Sequence, residues 1–596
     1  MAEYLSPGVY VEEFDSGIKA MEGVGTSTAG FIGMAQKGPV RGLPVLITSM
    51  ADYQRRFGGY LSERDYGEQR YLPYAVEQFF NNGGSTCYVM RVCQEKGTDA
   101  DGKEIDGAVA AKGVLKAGAK ELLTLEADNP GLWGNSIRAR FTPVLKNRIR
   151  IDGWPGGDEK LYKIKQTGGF EAGDLVCIQY TEDGKKTFYN MVDRVEGEGI
   201  VLKWDASAPA QETTEPFLYL LEWGVALEDE TATEQYESLS LNPGRNNYVK
   251  HGLIKSQLVK VSGDIAELAQ EDINNLLGPG QDQAEQKDAD ICLNVTFGEG
   301  SDGTAALDPV NSALYIGTDG APDARTGLTA FKTLSDVSIM TIPGITDSSV
   351  QSALVSHCEG LASRFAILDM PQDKKEVSEL QAFKENTDSS YAAIYHPWLQ
   401  CYDALANRKV FLPPSGAMAG IYARTDNSRG VHKAPANEVV RNCTGLSVKY
   451  NEAEQGKLNP KGINLIRSIP GQGIRVWGAR TCSSDGNWKY INVRRLFIYI
   501  EESIKANTNW AVFEPNDEML WSRVEGTIRV FLTTQWRNGA LAGSTADEAF
   551  YINIGRSTMT EDDILNGRLI CVIGVAPVRP AEFVIFRITQ KMESAQ

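Results

Sequence analysis

Apolar and polar positions follow two different rhythms along this chain. Residues 29–35, 43–48 and 86–92 are short, almost unbroken apolar runs, the pattern of strands covered on both faces in a parallel sheet. Asp52 stands where a short helix would be capped, and Gly58 and Gly59 stop that helix. Leu72, Ala75, Val76, Phe79 and Phe80 recur at helical spacing before Gly83 and Gly84. The same regime returns after residue 330, with strands over 337–342, 365–369 and 391–395 and helices over 350–364 and 377–385. Strands alternating with helices predict right-handed crossovers and a mainly parallel α/β sheet.

Between these regions the rhythm changes. Residues 93–120, rich in Gly, Ala, Lys and Asp, read as linker plus a short element. Residues 121–250 carry short strands separated by turn signals such as Asp152-Gly153 and Asp183-Gly184, which predicts an inserted β domain. Residues 278–328 read as a flexible surface segment. Towards the end, Val493, Leu496, Phe497, Ile500 and Ile504 form one helical stripe, with Arg494, Arg495, Glu501, Glu502 and Lys505 largely off it. Asn516, Asp517 and Glu518 open a second helix with apolar positions at Leu520, Val524, Ile528, Phe531, Leu532 and Trp536.

The two termini stand apart. Residues 4–14 and 581–590 each read as one extended segment rich in β-branched and aromatic residues, fenced by Pro or Gly, with no hairpin partner nearby. Tyr4, Val9, Tyr10, Val11 and Phe14 make the first arm apolar; Phe583, Val584, Ile585, Phe586 and Ile588 do so for the second. A strand with an open edge must find another edge, in its own domain or in another copy. One strand offered from each end suits a polymer built by strand exchange.

Composition narrows the function. The 596 residues hold two to four domains, and no apolar run is long enough to span a bilayer. The start has no basic residues leading into an apolar stretch, so no signal peptide is read. Nine cysteines, an odd number without any C-x-x-C pair, read as reduced thiols in a cytosolic protein. The net charge of −18 argues against a nucleic-acid binder, which needs a basic surface. Nine Asp or Glu and no Lys or Arg lie between Asp205 and Leu241, read as a solvated face.

The search for chemistry finds little. There is no phosphate loop, no G-x-G-x-x-G, no H-E-x-x-H and no G-x-S-x-G elbow. Of the four histidines, His251, His357, His396 and His432, only His396 follows a strand where catalytic loops lie in parallel sheets. A structural role is the better reading for it. No catalytic residue, cofactor or metal site is assigned.

Several segments, in this order, resemble the tail sheath proteins of contractile phage tails and related injection systems. They include Ser6-Pro7-Gly8 with Val9 to Glu13, and Ala29-Gly30-Phe31 with Lys37-Gly38-Pro39. Further on come Gly131-Leu132-Trp133-Gly134-Asn135, Val431-His432-Lys433 and Val476-Trp477-Gly478. Residues 490–496 through Val512-Phe513-Glu514-Pro515-Asn516 carry the best stretch. His432 stands where that family often has an aromatic residue such as Trp, a departure that touches local packing.

The resemblance implies an α/β core of the kind called subtilisin-like, with an inserted β-rich domain and extended terminal strand arms. It implies a structural subunit, not an enzyme, that stacks as hexameric rings around an inner tube and contracts from a metastable extended state. Its partners would be further copies, the inner tube, and baseplate and cap or terminator proteins, without nucleic acid or membrane insertion. Assembly would be cytoplasmic in a bacterial cell, before the chain joins a phage tail or injection particle. The organisation expected is an arm over 1–20, core over 21–94 and an outward insert over 95–250. Core over 251–475, a C-terminal sheath domain over 476–576 and a second arm over 577–596 follow. The helix over 493–505 is the candidate tube-facing element, through Arg494, Arg495, Glu501, Glu502 and Lys505. The rivals are a serine-hydrolase-like enzyme on the α/β core and a self-assembling shell or surface-layer protein.

Overall fold

The apolar runs of the sequence become the strands of one mixed sheet. The computed structural model describes residues 21–98, 104–105, 107–155, 161–165, 167–179, 187–203, 215–277, 292–303 and 310–585. The strands are β1 (Ala29–Gly33), β2 (Val45–Ile47), β3 (Cys87–Arg91), β4 (Ile339–Thr341), β5 (Phe365–Asp369), β6 (Ala392–His396), β7 (Ile463–Ile469) and β8 (Gly473–Val476). They lie in the order β2-β3-β1-β4-β5-β6-β7-β8. The six inner strands pair in parallel, and the edge strands β2 and β8 run antiparallel to their neighbours.

Burial on both faces explains the unbroken apolar runs. Phe365, Ile367, Ala393 and Tyr395 pack on one side of the sheet. Ala366, Leu368, Ala392 and Ile394, one residue out of phase, pack on the other. The first side is covered by α1 (Leu72–Asn81) and α3 (Ser415–Arg429), the second by α2 (Ser348–Leu361). Helix α3 is buried from Ser415 to Ala423 without a break, so it has no amphipathic stripe to read in the sequence. It crosses α1 through its glycines. A Cβ on Gly416 would lie 2.5 Å from the Ala75 Cα, and one on Gly420 would meet the Phe79 carbonyl.

The insert is an antiparallel sheet closed on itself. Strands Arg138–Gly153, Leu161–Ile164, Gly199–Leu202, Thr187–Glu196, Leu175–Gln179 and Phe217–Glu228 pair in sequence, and the last returns to the first. Closure leaves this ring of six without an open edge, and Ile164, Val176, Ile178, Val192, Ile200 and Leu218 fill it. Leu293–Thr296 joins the outside of Arg138–Gly153, and Val259–Ser262 pairs with Lys120–Ala127. The pairing of the insert therefore continues past residue 250. Residues 292–303, expected as part of a flexible surface segment, contribute a strand to it, because Leu293 and Val295 cover the apolar face of the larger sheet.

Two further expectations change. The cap of Met50–Phe57 is Ser49, whose hydroxyl accepts from the Asp52 backbone at 3.1 Å, while Asp52 pairs with Arg55 and Arg56 from the first turn. The acidic stretch after Asp205 is not simply a solvated face. Asp229 meets Lys37 Nζ at 2.6 Å in a contact buried between insert and core, with Thr231 as a second acceptor. Glu222, also buried, meets Lys146 at 3.3 Å. None of the nine cysteines forms a disulfide.

The glycine crossing makes a sharp test. Gly416→Ala is expected to destabilise the chain by about 3 kcal/mol through overpacking. Gly360→Ala on α2, where an added Cβ meets nothing within 4 Å, is expected to be neutral or stabilising by up to about 1 kcal/mol. Denaturant melts of the two variants check both signs.

Candidate assembly surface

Two helices follow the sheet. Helix α4 (Ile491–Thr508) starts inside the protein: Ile491 to Leu496 are all buried. Arg495, 4 % exposed, donates to both carboxylate oxygens of Asp426 at 2.9 and 2.6 Å and to the Thr26 carbonyl at 2.9 Å. Its guanidinium lies over the Tyr422 ring of α3. Arg494, 7 % exposed, is stacked 3.4 Å from the Trp488 ring centre and 4.4 Å from that of Tyr391. The two arginines expected on a tube-facing surface are thus core residues of this chain. The α/β body and the elements after α4 together enclose its first turns, and Arg494 and Arg495 each find a carboxylate or an aromatic face there. Glu501 and Lys505, in the last two turns, are exposed, and Glu502 is half-buried with its carboxylate 3.2 Å from Lys505 Nζ.

Helix α5 (Glu518–Arg537) turns back, capped by the Asp517 side chain accepting from the Leu520 backbone at 2.9 Å. The turn between the helices is held from behind. Asn516 accepts from the Trp521 indole at 2.8 Å and donates to the Arg568 carbonyl at 3.0 Å. In front of it Phe513 is completely exposed and has φ 68°, a left-handed backbone that an aromatic residue rarely adopts. Such a conformation costs about 1–3 kcal/mol. Val512 and Met519 extend the apolar tip, and Glu514, Asp517 and Glu518, its neighbours along the chain, are exposed acids.

A hairpin, β9 (Phe550–Ile554) with β10 (Cys571–Val575), packs Phe550 and Ile552 against α5 and leaves Tyr551 and Val572 exposed on its outer face. Among the described residues each strand has a neighbour on one side only. The arms are partly placed. Tyr4, Val9, Tyr10, Val11, Phe14, Phe586 and Ile588 lie outside the described residues. Phe583, Val584 and Ile585 are exposed and belong to no strand.

The crevice at the carboxyl ends of the parallel strands is occupied by the protein's own groups. His396 is fully buried, its Nε2 2.9 Å from the Tyr450 hydroxyl, and burial pulls its pKa down to about 4. Asp369 accepts from the Gly344 and Ser415 backbones, both at 2.9 Å, and from the Ser415 hydroxyl at 2.6 Å. It thereby plugs the N-terminus of α3, and burial pushes its carboxyl up to about 6. A cavity of about 290 Å³ near Trp398 and Lys375 is lined by neither His396 nor Ser415. Among the described residues no cluster of His, Cys, Asp and Glu could hold a metal ion.

Comparison with known proteins decides between the readings. Residues 317–482 match the family model of the phage tail sheath protein central domain, and residues 483–591 that of the phage tail sheath C-terminal domain. Residues 317–591 are thus contractile tail sheath domains. The chain is 27 % identical over 291 residues to a putative prophage major tail sheath protein of Pseudomonas aeruginosa, covering 46 % of this chain and 72 % of that one. It is 27 % identical over 242 residues to the tail sheath protein of Escherichia phage P2, covering 39 % and 60 %. Its fold is similar, with a TM-score of 0.52 and 21 % identity over 99 % of both chains, to the contracted sheath of an extracellular contractile injection system. No described helix is long and apolar enough to cross a membrane.

Sequence reasoning missed three residues, the exposed Phe513 and the pair Arg480 and Glu582. Phe513 was legible as part of a family stretch but not as exposed. Arg480 and Glu582 pair with each other at the root of the C-terminal arm, and the available signal was that Glu582 is the lone acid of residues 581–590. The buried and exposed cations of α4 are expected to separate in stability. Arg495→Ala leaves Asp426 buried without its partner and should cost about 3–5 kcal/mol. Lys505→Ala should cost under about 0.5 kcal/mol. Chemical denaturation of the isolated chains measures both.

Proposed function

We propose that this chain is the structural sheath subunit of a contractile tail or injection machine. It polymerises as stacked hexameric rings around an inner tube and contracts from a metastable extended state to drive the tube through a target envelope. The family match over residues 317–591 carries this reading. No enzymatic role is assigned. The fold corresponds to the subtilisin-like core of the family, but the group that would touch a serine nucleophile at Ser415 is the Asp369 carboxylate, and His396 is engaged with Tyr450. Energy for contraction comes from different contacts made by two packings of the same subunits.

The arms over 1–20 and 577–596 link neighbouring copies. The hairpin of β9 and β10, with two open edges among the described residues, is the place in each subunit where incoming strands add. The insert over 95–250, with its extension to Thr296, faces outward, and baseplate and cap or terminator proteins meet the two ends of the stack. Assembly is cytoplasmic in a bacterial cell.

The tube contact shifts along α4. Glu501, Glu502 and Lys505 remain in it, Arg494 and Arg495 leave it, and the tip at Val512, Phe513 and Met519 enters. An exposed aromatic on a strained backbone is the form of a binding anchor. Its acidic neighbours favour a basic-rimmed socket on a different protein over another copy of a chain of net charge −18.

Negative-stain microscopy tests the reading. The intact chain is expected to form long striated hollow tubes, and the chain lacking residues 1–20 none; monodisperse single subunits from both would overturn it. Phe513→Gly, which relieves the left-handed backbone, is expected to keep or raise the melting temperature while weakening binding to the inner tube at least tenfold. A pull-down against the purified tube protein measures that loss.

A further inference from the structure

The C-terminal arm leaves the body through a fixed point. Glu582 sits between the described end of the body and the exposed residues Phe583, Val584 and Ile585, which are 72, 69 and 79 % exposed. Its two carboxylate oxygens receive two parallel N–H bonds from Arg480, 2.8 Å from Nε and 2.7 Å from Nη2. Asn459 Nδ2 donates to Oε1 at 2.6 Å, the Tyr490 hydroxyl donates to Oε2 at 3.2 Å, and Lys489 Nζ lies 3.9 Å away. Burial pushes the Glu582 carboxyl up, but the bonds from Arg480 and Asn459 outweigh it and hold the group below the usual carboxylate range. The clamp is therefore complete at neutral pH and weakens only as pH falls through that lowered value.

Arg480 is itself anchored. It is buried, its backbone N–H donates to Asn464 Oδ1 at 2.8 Å, and its carbonyl accepts from Asn464 Nδ2 at 2.7 Å. Asn464 is fully buried on β7, and the same amide nitrogen reaches the Ile394 carbonyl of β6 at 3.2 Å. A continuous line of hydrogen bonds thus runs from the root of the arm to two inner strands of the parallel sheet. A bidentate guanidinium–carboxylate pair resists both rotation and extension, which a single flexible ion pair does not.

We propose that the Arg480–Glu582 pair is the anchor through which tension in the C-terminal arm reaches the central sheet, and that it fixes the direction in which the arm leaves its subunit for a neighbour. This rests on the reading of the arms as links between copies. Without the anchor the arm would begin near Val578, whose carbonyl is held by Asn492 at 3.1 Å, and four more residues would swing with it. Neighbouring subunits would stay joined, but with slack in each joint.

The test uses the full chain with Glu582→Gln, Arg480→Lys and the exchanged pair Arg480→Glu with Glu582→Arg, beside a chain ending at residue 582. Melting temperatures of the unassembled subunits report folding, and electron micrographs report tube length and breakage after dilution into 2–4 M urea, conditions chosen at roughly the range where small-domain contacts weaken. The truncated chain is expected to form no tubes. Glu582→Gln and Arg480→Lys are expected to fold but to give tubes at least fivefold shorter, and the exchanged pair to recover most of the length. Tubes of parental length from both single variants, with none from the truncated chain, would overturn the anchor and leave the arms as links. Parental tubes from the truncated chain would overturn both. Should Glu582→Gln reduce the folded yield, Arg480→Lys, which keeps the charge and loses only the paired geometry, decides the question alone.

Discussion

An extended apolar segment cannot stay alone in water with its backbone groups and side chains both unpaired. Every other feature of this chain is arranged around that constraint. The body covers most of its own strands. Its inner strands are covered on both faces by helices, and the ring of strands in the insert has no edge at all. Among the described residues, what the body leaves open includes the hairpin of β9 and β10, the exposed stretch from Phe583, and the tip at Phe513. Exposed strand and apolar groups of this kind are where partners can add.

The rigid parts have a matching logic. Arg495 and Asp426 join α4 to the α/β body, Lys37 and Asp229 join the insert to it, and Arg480 and Glu582 join it to the arm. Each is a buried or nearly buried cation–carboxylate pair at a boundary between units. Such pairs add little net stability but strongly penalise separation, since parting them strands a charge. They keep the subunit one body while contacts between subunits change, which is what contraction by rearrangement of whole subunits needs.

Much of the fold was legible in the sequence because burial leaves periodic marks. The strand over 365–369 and the helices over 493–505 and after residue 516 came out close to Phe365–Asp369, Ile491–Thr508 and Glu518–Arg537. Helix α3 and strands β7 and β8 were not read. A helix buried all round has no stripe, and β8 is a short edge strand carrying Gly473 and Arg475. At the assembly surface the sequence showed which residues are charged but not where the charge is spent. Arg494 and Arg495 look like surface cations until their aromatic and carboxylate partners, up to about a hundred residues away in the chain, close around them. Phe513 looks like a core residue until its neighbour Asn516 is seen holding the turn from behind.

The most direct measurement of the central claim is a helical reconstruction by cryo-electron microscopy of tubes grown from the intact chain. The account predicts that strands from residues 4–14 and 581–590 of other copies lie alongside β9 and β10 of each subunit, so that a two-stranded hairpin becomes a larger sheet shared between chains. Tubes in which both arms fold back on their own subunit, with neighbours meeting only through side chains, would contradict it.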